Sequence, residues 1–393
     1  RPIINLKTAE GNHLFRIIAQ EIASLVKKYK GSLSGEHGDG RLRGEFIKQM
    51  VGERNYGLFK SIKHAWDPDN IFNPNKIVDT PPMNTMLRYT PGQKTPKFET
   101  VFRFHNQDIL QHAEQCNGTG ECRKTYLSGG TMCPSYMATK NEKDTTRARA
   151  NILREFLTNS TKMNRFDHKE IYEVMDLCLS CKGCKSECPS SVDVAKLKAE
   201  FLQQYYDANG VPFRSKLIAN FNKSAKLGSI APGIYNWMMT TPWISNSIKR
   251  FSGFALKRSM PTLYKTSLRK WFERRKRTAN GDSQSKNRKV YLFCDEFTNY
   301  NDTEIGIKAV LLLEKLGYEV LMTDHEESGR AWMSKGLLRE AKKIANKNVT
   351  IFGKIITEEI PLIGIEPSAI LTFRDEYIDL AVDENLAIAK RLS

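Results

Sequence analysis

With 393 residues, 40% of them hydrophobic, the chain has enough apolar surface for two or three folded domains. Those proportions exclude an intrinsically disordered polymer and a disulfide-stapled miniprotein. The formal charge of +17 favours anionic partners. In chain order, Leu14, Ile17, Ile18, Ile22, Leu25 and Val26 recur at helical spacing and predict an amphipathic helix. Lys27, Lys28 and Lys30 fall in its last turn, and Gly31 ends it. A short strand over 32–34 is expected to deliver the glycine-rich segment SGEHGDGRLRGEF (34–46), followed by a second helical stretch reaching Trp66 and stopped by Asp67-Pro68. Pro81, Pro82, Pro91 and Pro96 mark residues 79–97 as an extended linker.

Residues 101–210 hold seven of the eight cysteines, with helical spacing over 145–157 and 194–206. Residues 227–248 carry no charge, but Pro232, Pro242, Asn236 and Asn246 argue against a membrane span. From Lys249 to Lys289 there are 14 basic and 2 acidic residues, a net charge of +12, with Trp243, Phe251, Phe254, Tyr264, Trp271 and Phe272 interleaved or adjacent. This stretch fits either a solvated connector or a surface that docks on an anionic membrane; no nucleic-acid motif accompanies the charge. Beyond it, strand and helix alternate (290–293, 304–316, 319–322, 335–345, 360–365), which predicts an open α/β sheet with no phosphate-cradling glycine fingerprint. Cys294 ends an apolar run and is expected to be buried and without chemistry.

The cysteine spacing carries the chemistry. Cys178, Cys181, Cys184 and Cys188, with Pro189 behind the last, form the bacterial ferredoxin run, in which the fourth thiolate serves a second cluster. Structural zinc, the rival, usually takes ligand pairs set well apart in sequence. Upstream, Cys116, Cys122 and Cys133-Pro134 fit the same template, with Thr119 at the place of one cysteine. Crosswise assignment gives Cys178, Cys181, Cys184 and Cys133 to a 4Fe-4S cluster. Cys116, Cys122 and Cys188 are left with a second cluster, 3Fe-4S or 4Fe-4S. The missing cysteine resembles the iron–sulfur subunit of succinate dehydrogenase, where the same omission goes with a three-iron cluster. Clustered thiolates also imply a reducing, cytoplasmic compartment, with peripheral placement at the inner membrane face if the basic stretch docks there.

SGEHGDGRLRGEF and FNPNKIV (72–78) resemble the carboxy-terminal part of FAD-linked oxidases of D-2-hydroxy acids. NGTGECRK, MCPSYMATKNEKDTTRARA and EPSAILTFRDEY resemble long bacterial proteins that fuse such an oxidase to an iron–sulfur module and act on D-lactate or D-2-hydroxyglutarate. The resemblance implies that Glu36 helps hold a divalent metal, usually zinc, and that His37 is the base or substrate ligand. Arg41 or Arg43 would complement an acidic substrate. It implies FAD as cofactor and a quinone or other electron carrier as acceptor. The flavin-nucleotide-binding half and the metal-binding histidines of such oxidases are not found in the sequence, and His13 is poorly placed to replace them. Neither are the paired Cys-Cys-Gly motifs of a following redox domain, so the chain, which starts at Arg1, is expected to be an internal fragment.

The fold class expected is therefore α+β and multidomain. Residues 1–79 would be the C-terminal part of an FAD-linked oxidase and 80–100 a linker. An α-helical ferredoxin-like domain over 101–210, a basic aromatic-rich connector over 211–289 and a partial α/β redox domain over 290–393 would follow. The alternative is an electron-transfer iron–sulfur subunit with no substrate chemistry, in which Glu36 and His37 are only structural. A third reading is a zinc-stabilised basic binding module.

Overall fold

The computed structural model describes residues 2–105, 107–278 and 288–393, so residues 279–287 of the basic stretch lie outside the described residues. The chain divides into two units, 1–95 and 96–393.

In the first unit the expected helix forms as Ala9–Lys28, its start capped by Thr8, whose hydroxyl accepts from the Gly11 amide at 3.0 Å. Gly11 is required there, because a Cβ would stand 2.0 Å from the Asn5 carbonyl oxygen. The apolar face behaves differently from expectation. Phe15, Ala19 and Ala23 turn inward onto Phe46 and Met83, whereas Leu14, Ile17, Ile22 and Leu25 are exposed. The strand expected over 32–34 is absent among the described residues: the segment has no partner strand to take up its backbone groups and runs as a loop. The second helical stretch is broken in two, Ile47–Val51 and Glu53–Trp66, by Gly52 at φ 82°. Asp67 ends it by accepting from the Ile71 and Phe72 amides, at 2.8 and 2.9 Å.

The second unit is mostly helical around one small sheet. Strands β1 (Arg288–Phe293), β2 (Tyr318–Leu321) and β3 (Leu362–Gly364) are parallel in the order β2-β1-β3, with Val290 beside Val320 and Leu292 beside Ile363. The central strand β1 is also the most buried, with Val290, Leu292 and Phe293 enclosed, as its cover on both faces requires. Cys294 follows it and is buried, as expected, its thiol pushed up to about 12 by desolvation. Helix Thr303–Lys315 makes the crossover from β1 to β2.

One core joins the cysteine-bearing helices to this α/β layer: Phe201 and Leu202 share it with Phe293, Phe352 and Tyr377. Polar anchors fix the junction. Buried Glu200 accepts from the amides of Val101 and Phe102 at 3.0 Å each, and Arg339 grips Asp207 with two bonds of 2.6 Å. Gly336 must be glycine: its φ is 70°, and a Cβ would lie 2.2 Å from that of Leu202. Residues 213–252 form four short helices, and no helix among the described residues is long and apolar enough to cross a membrane.

Candidate iron–sulfur and substrate sites

Two sequence-distant loops meet at one cavity. Cys133, Cys178, Cys181 and Cys184 all line it, together with Thr146, Arg149 and Lys182. This is the crosswise set drawn from spacing, with Cys133 arriving from 45 residues upstream of Cys178. Local backbone explains how short segments turn four sulfurs toward one space. Cys133 sits in the left-handed region at φ 63° and caps helix Pro134–Thr139, whose first residue is the helix-compatible Pro134. Ser180 and Lys182 are left-handed as well, so the chain between Cys178 and Cys184 coils tightly before helix Gly183–Glu187 begins. Gly183 lets the two loops touch: a Cβ there would lie 3.0 Å from Thr131 Oγ1 and 3.1 Å from its carbonyl oxygen.

Glu187 clamps the loops together. Its carboxylate accepts from the Thr131 amide and hydroxyl, both at 2.7 Å, and from the Met132 amide at 3.0 Å. The Thr131 hydroxyl and the two amides hold that carboxyl below its usual range. Spacing analysis missed this residue, because a glutamate between two ligand cysteines carries no signal of a partner 56 residues away.

The sulfurs are provided with donors. Cys133 Sγ accepts from the Thr146 amide at 3.0 Å and lies 3.3 Å from the Thr146 hydroxyl. The next amide of the same helix start, Arg147, reaches Cys122 Sγ at 3.4 Å. Asn151, one turn on, points Nδ2 at Cys116 Sγ, 3.7 Å away. The N-terminal turn of helix Thr146–Asn159 thus serves sulfurs of both predicted sets, and its N–H groups favour negative charge. Arg149 from that helix is 2% exposed; its Nη1 lies 3.9 Å from Cys133 Sγ, while Nη2 is buried without a hydrogen-bond partner.

This donor set fits an iron–sulfur cluster. Burial pushes the Cys184 thiol up to about 12 and raises those of Cys133 and Cys122. Desolvated sulfurs surrounded by N–H donors are suited to thiolates whose charge is balanced by bound iron. Among the described residues no group of three or more His, Cys, Asp or Glu converges at the spacing of a single metal ion. A cubane, by contrast, takes one thiolate at each of four separate corners.

Cys116 and Cys122 are both buried and close enough to influence each other electrostatically. Thr119, in the place of a cysteine, turns its amide to Asn117 Oδ1 at 3.1 Å. Cys188 is half-buried against the same core.

In the first unit Glu36 and His37 are exposed neighbours, with Oε2 and Nε2 3.4 Å apart. Their loop is held by Arg43, which donates to the Gly38 carbonyl at 2.9 Å, and by the Ile77 amide, which donates to the Gly40 carbonyl at 3.1 Å. The two segments that carry the family likeness therefore touch. Arg41 donates to the Thr85 carbonyl at 2.8 Å, so both arginines expected to meet a substrate are engaged in holding loops. His13 is exposed, and Glu36 and His37 alone do not make a closed zinc site.

Two family models match parts of the chain: residues 1–77 match the C-terminal domain of FAD-linked oxidases, and residues 114–193 match the 4Fe-4S dicluster domain. Over 96% of its length the chain is similar to the D-2-hydroxyglutarate dehydrogenases of Escherichia coli, 27% identical over 41% of that protein, and of Pseudomonas putida, 28% identical over 41% of that protein. A shorter likeness, 42% identity over 16% of the chain and 11% of the relative, is to the mitochondrial cytochrome-type D-lactate dehydrogenase 1 of Saccharomyces cerevisiae. The chain spans about two-fifths of the length of the bacterial relatives. No solved structure matches.

Proposed function

We propose that the protein takes part in FAD-dependent oxidation of a D-2-hydroxy acid, D-2-hydroxyglutarate or D-lactate, and relays the electrons through iron–sulfur clusters. The carrying observation is the convergence of Cys133, Cys178, Cys181 and Cys184 on one cavity, in a chain whose first 77 residues match an FAD-linked oxidase domain. FAD, when bound, supplies the hydride acceptor and releases electrons singly. His37 Nε2 accepts the substrate hydroxyl proton, with the Glu36 carboxylate 3.4 Å away. The four thiolates hold a 4Fe-4S cluster, while Thr146 and Arg149 direct N–H groups at Cys133. Cys116, Cys122 and Cys188 hold the second cluster, which three thiolates suit to a 3Fe-4S core or to a 4Fe-4S core with one non-protein ligand. The acceptor is a quinone or electron carrier, and a peripheral place at the inner face of a membrane suits the quinone. No metal-dependent step is drawn through Glu36.

The test has two arms. Anaerobically purified protein should be brown and hold iron and acid-labile sulfide, and Cys181→Ser should remove the four-iron signal. Protein expressed from the complete gene should reduce a dye with D-2-hydroxyglutarate or D-lactate, and His37→Ala should abolish this while leaving the clusters intact. Colourless, zinc-loaded protein would end the redox reading. Clusters without dye reduction would leave only an electron-transfer subunit, a reading favoured by the exposure of Glu36 and His37.

A further inference from the structure

Helix Pro242–Ser252 is amphipathic the wrong way round for a surface in water. Its buried face is Ser245, Lys249 and Ser252, at 3%, 7% and 5% exposure, while Trp243 and Phe251 point outward at 71% and 82%. The orientation is fixed from within, because Lys249 Nζ donates to the Leu256 carbonyl at 3.1 Å. The preceding helix, Pro232–Thr240, packs Tyr235 inward on Ala225 and Leu263 but keeps other apolar groups outside. Asn236 turns inward and exchanges two bonds of 2.8 Å with the backbone of Leu263, leaving Ile234 and Trp237 exposed. An ordinary surface helix would bury the indole and phenyl groups and leave the lysine and serines in water. Helix Pro242–Ser252 does the reverse, and helix Pro232–Thr240 adds Ile234 and Trp237 to the same exposed apolar set, so the outer face requires an apolar partner.

Charge says what kind of partner. Residues 208–272 contain 11 Lys and Arg, one of them the buried Lys249, and no Asp or Glu. Arg250 stands beside Phe251, Lys226 beside Leu227 and Lys257 beside Leu256, all of them exposed. A protein partner of mixed charge would meet this surface with many cations unmatched. An anionic bilayer matches both properties at once: headgroup phosphates take the cations, and the headgroup–acyl boundary takes the indole and aliphatic groups.

We propose that the face built by residues 227–257, with Trp237, Trp243 and Phe251 as its apolar anchors, docks peripherally on an anionic phospholipid surface. This gives a physical basis to a peripheral membrane placement of the enzyme, but it uses no redox group. Lipid binding therefore stands or fails independently of the clusters and of dye reduction.

The cluster-loaded full chain would be floated with vesicles of phosphatidylcholine, with and without phosphatidylglycerol. It should bind only the vesicles containing phosphatidylglycerol, and tryptophan emission should shift to the blue. High salt should release it, because the cations act through screened attraction. Trp243→Ser combined with Phe251→Ser should weaken binding roughly a hundredfold, about tenfold for each aromatic group withdrawn from lipid. Both side chains are largely exposed, with the Phe251 ring edge-on to Phe213, so the melting curve should move little. Absence of binding, equal binding to both vesicle types, or undiminished binding by the double variant would overturn the proposal. Self-association through the same tryptophans would also overturn it, by showing a protein partner there.

Discussion

Arg149 is the sharpest place to test how this fold would tune a cluster. Its guanidinium is buried, with Nε donating to the Val174 carbonyl at 3.0 Å and Nη1 to the Asp144 carbonyl at 2.7 Å and Ser135 Oγ at 3.0 Å. It stands 3.9 Å from Cys133 Sγ. A cluster gains one electron on reduction, so a fixed cation beside a ligand sulfur raises its potential. At about 4 Å and an effective dielectric near 20, a unit charge is worth about 4 kcal/mol. Spreading of the added electron over the cluster, and the Asp144 carboxylate 3.8 Å from Nη2, reduce this to about 2 kcal/mol. For one electron that is about 90 mV. Arg149→Met should therefore lower the potential of the four-iron cluster by about 90 mV, while Arg149→Lys should keep most of it. Spectroscopic redox titration reads the potential, and iron content checks that both variants remain loaded. Loaded Arg149→Met with an unchanged potential would refute the electrostatic reasoning and leave Arg149 as packing alone.

Glu187→Gln should lose iron faster than wild type when challenged with chelator, because the clamp on Thr131 and Met132 loses its charge. Since the Glu187 carboxyl is held low, the clamp is complete above pH about 4.5 and is lost as pH falls through its lower folded value. Burial holds His112 and His325 neutral, at about 4 and about 3, where each ring accepts a backbone N–H, from Asp193 and Cys294 respectively. Their depressed values give stability that is full above about pH 6.5 and falls by about 1.4 kcal/mol per pH unit for each ring below it. Between pH 8 and pH 5.5 the two rings together should take about 2–3 kcal/mol from stability, a contribution that should disappear from the wild-type slope in His112→Gln with His325→Gln, while buried carboxyls such as Glu296 act in the opposite sense. Gly336→Ala should destabilise by about 1–3 kcal/mol, read as a lower thermal midpoint, because its Cβ would overlap Leu202.

The sequence made legible what depends on spacing along the chain. Cys178, Cys181 and Cys184 meet because a tight turn leaves few other arrangements, and the apolar run from Val290 forms a strand followed by a buried Cys294. What depends on contact at a distance was hidden. Glu187 reaches 56 residues back to Thr131, and Arg149 is 14 residues from the Ser135 hydroxyl it binds. Helix periodicity also misled wherever the apolar face is not the buried one. Leu14 and Ile17 of the predicted face lie outside, while Phe15, Ala19 and Ala23 turn inward. The strand expected over 32–34 failed because strand propensity cannot supply the neighbour that a strand needs.

The crosswise pairing of cysteines is tested most directly by electron paramagnetic resonance and iron analysis on two anaerobic variants. Cys133→Ser should damage the cluster held by Cys178, Cys181 and Cys184 and spare the other; Cys116→Ser should do the reverse. If Cys133→Ser left the four-iron signal intact, or both variants lost the same signal, the crosswise ligand sets would be wrong.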